Sequence, residues 1–262
     1  MIKKFILFLC LVSLGACYEV SYPKENITES LEAMVKKECG VECKAFVTGR
    51  TLYLDMPLDT GLTSKDQNKI NDATRKMQSA AMSVTRVTLS SDSDIKFMVV
   101  TAFNPEKSVS FRILQNIDDV KGYFYMRISR GDYESRTLFE IEGPEMTSII
   151  LQDRHDITDS EYVGRMIASQ INMSARFNPF LGALISMMQL RYFDVKDGVL
   201  YMSVSGAIDD RVKDFARSMI IEETKKYSGK YKLDFKNVSI VDQKGERLFD
   251  ISLNGAENEK QK

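Results

Sequence analysis

The stretch that decides the fold is Lys44-Ala45-Phe46-Val47-Thr48-Gly49-Arg50-Thr51-Leu52-Tyr53-Leu54-Asp55-Met56. Phe46, Leu52 and Leu54 alternate with more polar neighbours on either side of Gly49-Arg50, the pattern of a β-hairpin with one buried face. The same arrangement returns 148 positions later. Tyr192–Val195 and Val199–Val204 flank a turn at Asp197-Gly198, and Val47, Leu52 and Tyr53 fall on Val195, Leu200 and Tyr201. Leu54 and Met56 fall on Met202 and Val204. Two origins are compatible with this echo: a diverged duplication, or two unrelated hairpins that converged.

Outward from each hairpin the order is also shared. After the first, a helix starts at Ser64, where Gln67 completes a capping box, and carries Ile70, Ala73, Met77, Ala80, Ala81 and Val84 on one stripe. Strands are expected near Arg86–Ser90 and Ile95–Phe103. After the second hairpin a helix is expected from about Asp209 to Tyr227, with Val212, Phe215, Ala216, Met219 and Ile220 inward. Strands over Lys232–Val241 and Arg247–Leu253 then close the half. The expected class is therefore α+β, antiparallel hairpins covered by helices, in two diverged ββαββ halves. A helix over Thr28–Cys39 opens the first half ahead of its hairpin, with Ile27, Leu31, Met34 and Val35 on its buried side and Gly40 ending it. Between the halves lies a strand-rich segment, Val109–Leu114, Tyr123–Ser129 and Thr137–Glu142. A helix capped by Thr158 and Glu161 follows, then an apolar helix over Phe180–Leu190 opened by Asn178-Pro179.

The N-terminus carries an address. Lys3 and Lys4 precede an apolar run, Phe5–Val12, and then Ser13-Leu14-Gly15-Ala16-Cys17. A charged start, an apolar run too short to span a bilayer and small residues before a cut make a secretory signal peptide. Leu14-Gly15-Ala16-Cys17 resembles the lipobox of bacterial lipoproteins. That resemblance implies cleavage before Cys17, diacylglyceryl on its thiol and a lipid-anchored protein of the cell envelope. Tyr18 in place of the aspartate that retains enteric lipoproteins in the inner membrane favours the outer membrane. The expected organisation is signal 1–16, lipidated tether 17–27, first half with its extension 28–150, second half 151–253 and a polar, disordered tail 254–262.

In that setting Cys10 leaves with the signal and Cys17 is alkylated. Cys39 and Cys43 remain as a pair in an oxidising compartment, and the Gly40 turn suits a local disulfide. Their spacing also matches the thioredoxin-fold copper chaperones, but Lys44 stands where that family has proline, and the strand order differs.

Composition narrows the function. The formal charge is −1 before processing, and the signal removes two lysines and no acid, which disfavours nucleic acid. His155 is the only histidine, so paired-histidine zinc sites are excluded and general-base chemistry has few players. His155 with Asp153 and Asp156 forms one candidate base cluster, read as a solvated loop. Ser93-Asp94-Ile95-Lys96 fits the serine–lysine motif of penicillin-recognising enzymes by letters alone, and Ser91–Asp94 makes half a calcium loop. Both are read as a polar turn. No nucleotide or cofactor motif is present. The most promising surface is the 180–190 helix, apolar nearly all round. Phe180, Leu181, Leu184, Ile185, Met187 and Met188 either pack centrally or line a groove for a partner helix or acyl chains. The expected function is a non-enzymatic envelope lipoprotein that holds a protein partner at the membrane. The alternative is a carrier of a lipid or other hydrophobic ligand beneath that helix.

Overall fold

A computed structural model describes residues 22–58, 65–104, 106, 109–177, 189–205 and 210–253. The chain is α+β and divides into two compact units that meet in sequence between Asp156 and Ile157.

In the first unit, helix α1 (Ile27–Cys39) leads into strands β1 (Lys44–Thr48) and β2 (Thr51–Pro57), helix α2 (Gln67–Leu89), and strands β3 (Phe97–Phe103) and β4 (Ser110–Asn116). Helices α3 (Ile117–Phe124) and α4 (Arg130–Arg136), strand β5 (Leu138–Glu142) and helix α5 (Pro144–Ile150) follow. The sheet order is β1-β2-β3-β4-β5. β1 pairs antiparallel with β2 in the register Val47↔Leu52, while β2 and β3 run parallel. That parallel pair is what α2 permits, because parallel neighbours need a long crossover rather than a tight turn.

In the second unit, helix α6 (Asp159–Phe177) precedes β6 (Gln189–Lys196), β7 (Val199–Ser205), helix α7 (Asp210–Tyr231), β8 (Asn237–Val241) and β9 (Arg247–Ser252). Its sheet order is β6-β7-β8-β9, again antiparallel, parallel, antiparallel.

The echo extends to individual hydrogen bonds. Val195 pairs with Leu200 as Val47 pairs with Leu52. The turn carbonyl of Arg50 accepts from Lys96 N at 2.8 Å, and the turn carbonyl of Gly198 accepts from Lys236 N at 2.8 Å. The carbonyl of Lys96 accepts from Ile117 N, and that of Lys236 from Leu253 N. Both units are therefore αββαββ.

The turns show why these residues close the hairpins. Gly49 has φ +56° and Asp197 has φ +54° at the same turn position. At Gly49 the glycine is required twice over, because a Cβ there would overlap the Asp156 carboxylate, which accepts from Arg50 N at 2.8 Å.

Core and stripe agree. Ile27, Leu31 and Val35 of α1, and Ala73, Met77, Ala80 and Val84 of α2, are buried on Leu52, Leu54, Met56, Met98 and Val100 of the sheet. In the second unit Tyr162, Val163, Ile167 and Ile171 of α6 are buried, as are Ala216 and Ile220 of α7 and Leu200, Met202 and Val204 of β7. The side chains of Val212 and Phe215 are outside the described residues.

Several expectations need correction. Arg86–Ser90 is not a strand: α2 runs on to Leu89 and keeps Val84, Val87 and Thr88 buried, so burial overrides the β-propensity of that run. The strands after α2 are β3 and β4. Tyr123–Ser129 is also not a strand. The Asn116 side chain accepts from Asp118 N and starts α3, with Asp118 and Asp119 in its first turn, a charge placement that favours a helix N-terminus. α1 is capped at Asn26 rather than Thr28, and α2 at Asp66, whose carboxylate accepts from Asn68 N at 2.9 Å. The Thr158 cap is as expected: its hydroxyl accepts from Glu161 N at 3.1 Å.

Candidate functional site

The sequence-nominated residues fare unevenly. Cys17 with the signal and the tether up to residue 21, Phe180, Leu181, Leu184, Ile185, Met187 and Met188, and the tail from 254 onward lie outside the described residues. The rest of the expected tether is folded, with Lys24–Asn26 in a 3-10 helix and Ile27 at the start of α1. The expected end of the apolar helix is corrected, because Gln189 and Leu190 already belong to β6. The Asn172 amide holds Leu190 on both sides, donating to its carbonyl at 2.8 Å and accepting from its N–H at 3.0 Å.

The expected Cys39–Cys43 bridge is also corrected, because both cysteines are free thiols. Gly40 ends α1 at φ +66°, but the chain then turns Cys43 into the core at the foot of β1. There its sulfur faces the Glu32 carbonyl at 4.0 Å, whereas Cys39 faces the Lys76 carbonyl at 3.8 Å. Burial pushes the Cys43 thiol up to about 12, so it is a poor nucleophile and a poor metal ligand.

His155 sits in the segment after α5. Its carbonyl accepts from the Tyr53 hydroxyl at 2.6 Å, and its Nδ1 lies 3.5 Å from Asp153 Oδ1. The Ser91–Asp94 turn is engaged by the chain's own Lys24, whose N–H donates to Asp92 at 2.8 Å and whose ammonium pairs with Asp94 at 2.6 Å. Among the described residues no cluster of three His, Cys, Asp or Glu side chains suits a metal, and no helix is long and apolar enough to cross a membrane.

Two features that sequence reasoning missed come from sheet register. The first is a charged row across one face of the five-stranded sheet: Lys44, Asp55, Thr101, Arg112 and Glu140 are successive cross-strand neighbours. Arg112 is buried, with Nη1 3.3 Å from Glu140 and its Nε without a hydrogen-bond partner. Asp55 is buried and receives Arg154 Nη2 at 2.5 Å and Nε at 3.2 Å, while the same guanidinium lies 3.8 Å from the centre of the Phe46 ring. Burial pushes the Asp55 carboxyl up, and Arg154, Arg112 and Thr101 pull it only part of the way back. This row fastens the 153–156 segment to the sheet.

The second feature is on the opposite face. There the rows Leu54-Val100-Ile113-Phe139 and Met56-Ala102-Phe111-Ile141 cross from β2 to β5. Each begins in the core and ends in water: Leu54 and Met56 are fully buried, Ile113 and Phe111 half-buried, Phe139 64% exposed and Ile141 66% exposed. The reason is width. α1 packs beside α2, with α1 on β1 and α2 on β3. Two helices of about 10 Å span about 20 Å, roughly four strands at about 4.8 Å each. Among the described residues the sheet of the second unit has four strands and is matched; that of the first has five, so its last strand projects beyond the helices.

β5 is also the edge of its sheet, and an edge strand offers backbone N–H and C=O groups for pairing. The arrangement can accept an extended segment by strand addition, with Phe139 and Ile141 as apolar contacts. Glu140 and Glu142 alternate with them along β5, and Glu140 is held by Arg112 of the neighbouring strand.

No protein-family model, curated protein or solved structure matches this chain.

Proposed function

We propose that the protein is a non-catalytic lipoprotein of the cell envelope, held at the membrane through Cys17, that binds a protein partner along β5. The observation that carries the partner-binding reading is the exposed pair Phe139 and Ile141 on an edge strand. Native proteins usually blunt such edges with charge or proline or cover them, so an uncovered apolar one marks an interaction surface. A partner strand that lays apolar side chains over Phe139 and Ile141 while its backbone pairs with β5 fits this edge.

Two further supports are indirect. The lipobox resemblance supplies the anchor, and the composition supplies no catalytic constellation. The carrier reading rests on residues 180–188, which lie outside the described residues, and no structural observation favours it.

The test places a photo-crosslinking phenylalanine analogue at Phe139 in cells producing the full chain. A discrete adduct is expected at Phe139 and not at Met82, which is 51% exposed. The adduct should be lost when Ile141 is replaced by Asp, and it should fall when Cys17→Ser releases the chain from the membrane fraction. Diffuse or absent adducts at Phe139 refute the partner surface. A Cys17→Ser chain that still sediments with membranes refutes the anchor.

A further inference from the structure

Another surface has a different chemistry. α3 ends in three consecutive large apolar side chains, Phe124, Tyr125 and Met126, which are 50%, 70% and 92% exposed. They occupy one tight reversal: Met126 N bonds to the Tyr123 carbonyl at 3.0 Å, and Arg127 N returns to the Gly122 carbonyl at 2.7 Å. Met126 holds φ +56° to complete it, a left-handed conformation that is uncommon for a residue other than glycine, asparagine or aspartate. A methionine at the apex is thus locally unfavourable and almost wholly in water, two costs that the fold itself does not require.

The base of the reversal is rigid. Tyr123 stacks on Tyr133 with ring centres 4.7 Å apart, the Tyr133 hydroxyl meets the Gln115 amide, and Ile128 tucks against Gly122. The apex therefore stands on a packed base.

Asp118 lies exposed in the first turn of α3, at the opposite end of the helix from the apex, and the other nearby carboxylates are paired. Asp119 and Asp132 are both paired with Arg136, and Glu134 with Arg130. Lys121 and Arg127 flank the apex, and Arg127 lies over the Tyr125 ring, 5.6 Å from its centre. Side chains that are consecutive in sequence fan out in different directions. A groove on a protein would take one stripe of them, whereas a fluid apolar layer accepts all three. An aromatic residue at the polar boundary, an adaptable methionine at the tip and cations set behind them are the chemistry of the membrane interface.

We infer that the Phe124–Arg127 reversal is a membrane-contact element. It inserts Phe124, Tyr125 and Met126 among acyl chains while Lys121 and Arg127 meet anionic headgroups. It does not require the lipid on Cys17, and with that anchor it would fix the orientation of the first unit on the bilayer.

The sequence contains no tryptophan, so a single M126W substitution gives an unambiguous fluorescent reporter at a site too exposed to disturb packing. The full chain carrying M126W, purified from its membrane, is mixed with vesicles of phosphatidylcholine and phosphatidylglycerol bearing brominated chains. Expected are a blue-shifted emission, quenching by the bromines and protection from aqueous iodide. M82W should remain open to iodide and untouched by bromine. Replacing Lys121 and Arg127 with Gln should weaken the M126W response by about fivefold per charge on anionic vesicles, and little on neutral ones. An M126W reporter that stays open to iodide, or is quenched no more than M82W, overturns the inference. So does a blue shift produced by soluble envelope protein without vesicles.

Discussion

Removing either partner of the Asp55–Arg154 pair should destabilise the first unit, with opposite dependence on pH. Breaking a buried ion pair typically costs about 3–5 kcal/mol. Arg154 keeps 25% of its side chain in water, which places this pair at the lower end, about 3 kcal/mol. At about 2–4 °C per kcal/mol, the thermal midpoint should fall by about 6–12 °C. The two variants then diverge. In Arg154→Ala the carboxylate loses its nearest cation, but an aspartate can neutralise itself by taking up a proton. Burial already pushes the Asp55 carboxyl above its ordinary value, so its contribution to stability is fully present below the ordinary carboxylate range and is lost as pH rises through the raised one. Without Arg154 that rise is larger, so the Arg154→Ala deficit should be greatest near pH 8 and shrink towards pH 5. In Asp55→Ala the titrating carboxyl itself is gone, and the Arg154 guanidinium it leaves behind does not deprotonate. That deficit should be largest near pH 5 and shrink towards pH 8, as the wild-type contribution of Asp55 is lost. Urea titrations of the two single variants and the double variant from about pH 5 to pH 8 measure this, with the coupling energy read from the cycle. An Arg154→Ala deficit that is the same at both ends of the range, or a silent Asp55→Ala, refutes the reasoning.

Glycines in two helices should respond in opposite senses. A Cβ at Gly164 of α6 would lie 2.5 Å from Tyr192 Cδ2 and 2.9 Å from Leu200 Cδ1, so Gly164→Ala should cost about 1–3 kcal/mol by overpacking despite better helix propensity. Gly229 of α7 has open space around it and no positive φ, so Gly229→Ala should stabilise by about 0.5–1 kcal/mol; equal effects in thermal melts would contradict both. Native alkylation with iodoacetamide at neutral pH should label Cys39 well before Cys43, whose thiol is held at about 12 by burial; equal rates, or no free thiol at either position, would overturn that assignment.

What the sequence revealed follows from local rules. The helix stripes, the two hairpin turns and the Thr158 cap each depend on residues within one or two turns of each other, and each was readable. The departures at Arg86–Ser90 and Tyr123–Ser129 share a cause: β-branched and aromatic residues suggest strands, but helical burial, or the Asn116 cap, has the stronger claim. The charged row was beyond reach for another reason. Asp55 looks like the polar, solvent-facing position of an alternating strand, but β2 is buried on both faces, and its counter-ion lies 99 positions away.

The projecting edge shows the same limit more sharply. Leu138-Phe139-Glu140-Ile141-Glu142 alternates as a strand should, and the natural reading hides Phe139 and Ile141 while Glu140 faces water. The structure inverts this, because which face is covered depends on how many strands two helices can span. The repeat then says where specialisation lies. The αββαββ framework recurs with the same register and the same turn hydrogen bonds, so what it supplies is common to both units. The exposed edge at Phe139 and Ile141, the Phe124–Arg127 projection and the Arg154 fastening all fall between Ile117 and Asp156, a segment without a counterpart among the described residues of the second unit. Part of that segment serves the core, since Ile117, Val120 and Leu138 are buried, but the exposed apolar strand and the exposed apolar tip do not, and their confinement to this segment is the strongest reason to look there for the protein's contacts.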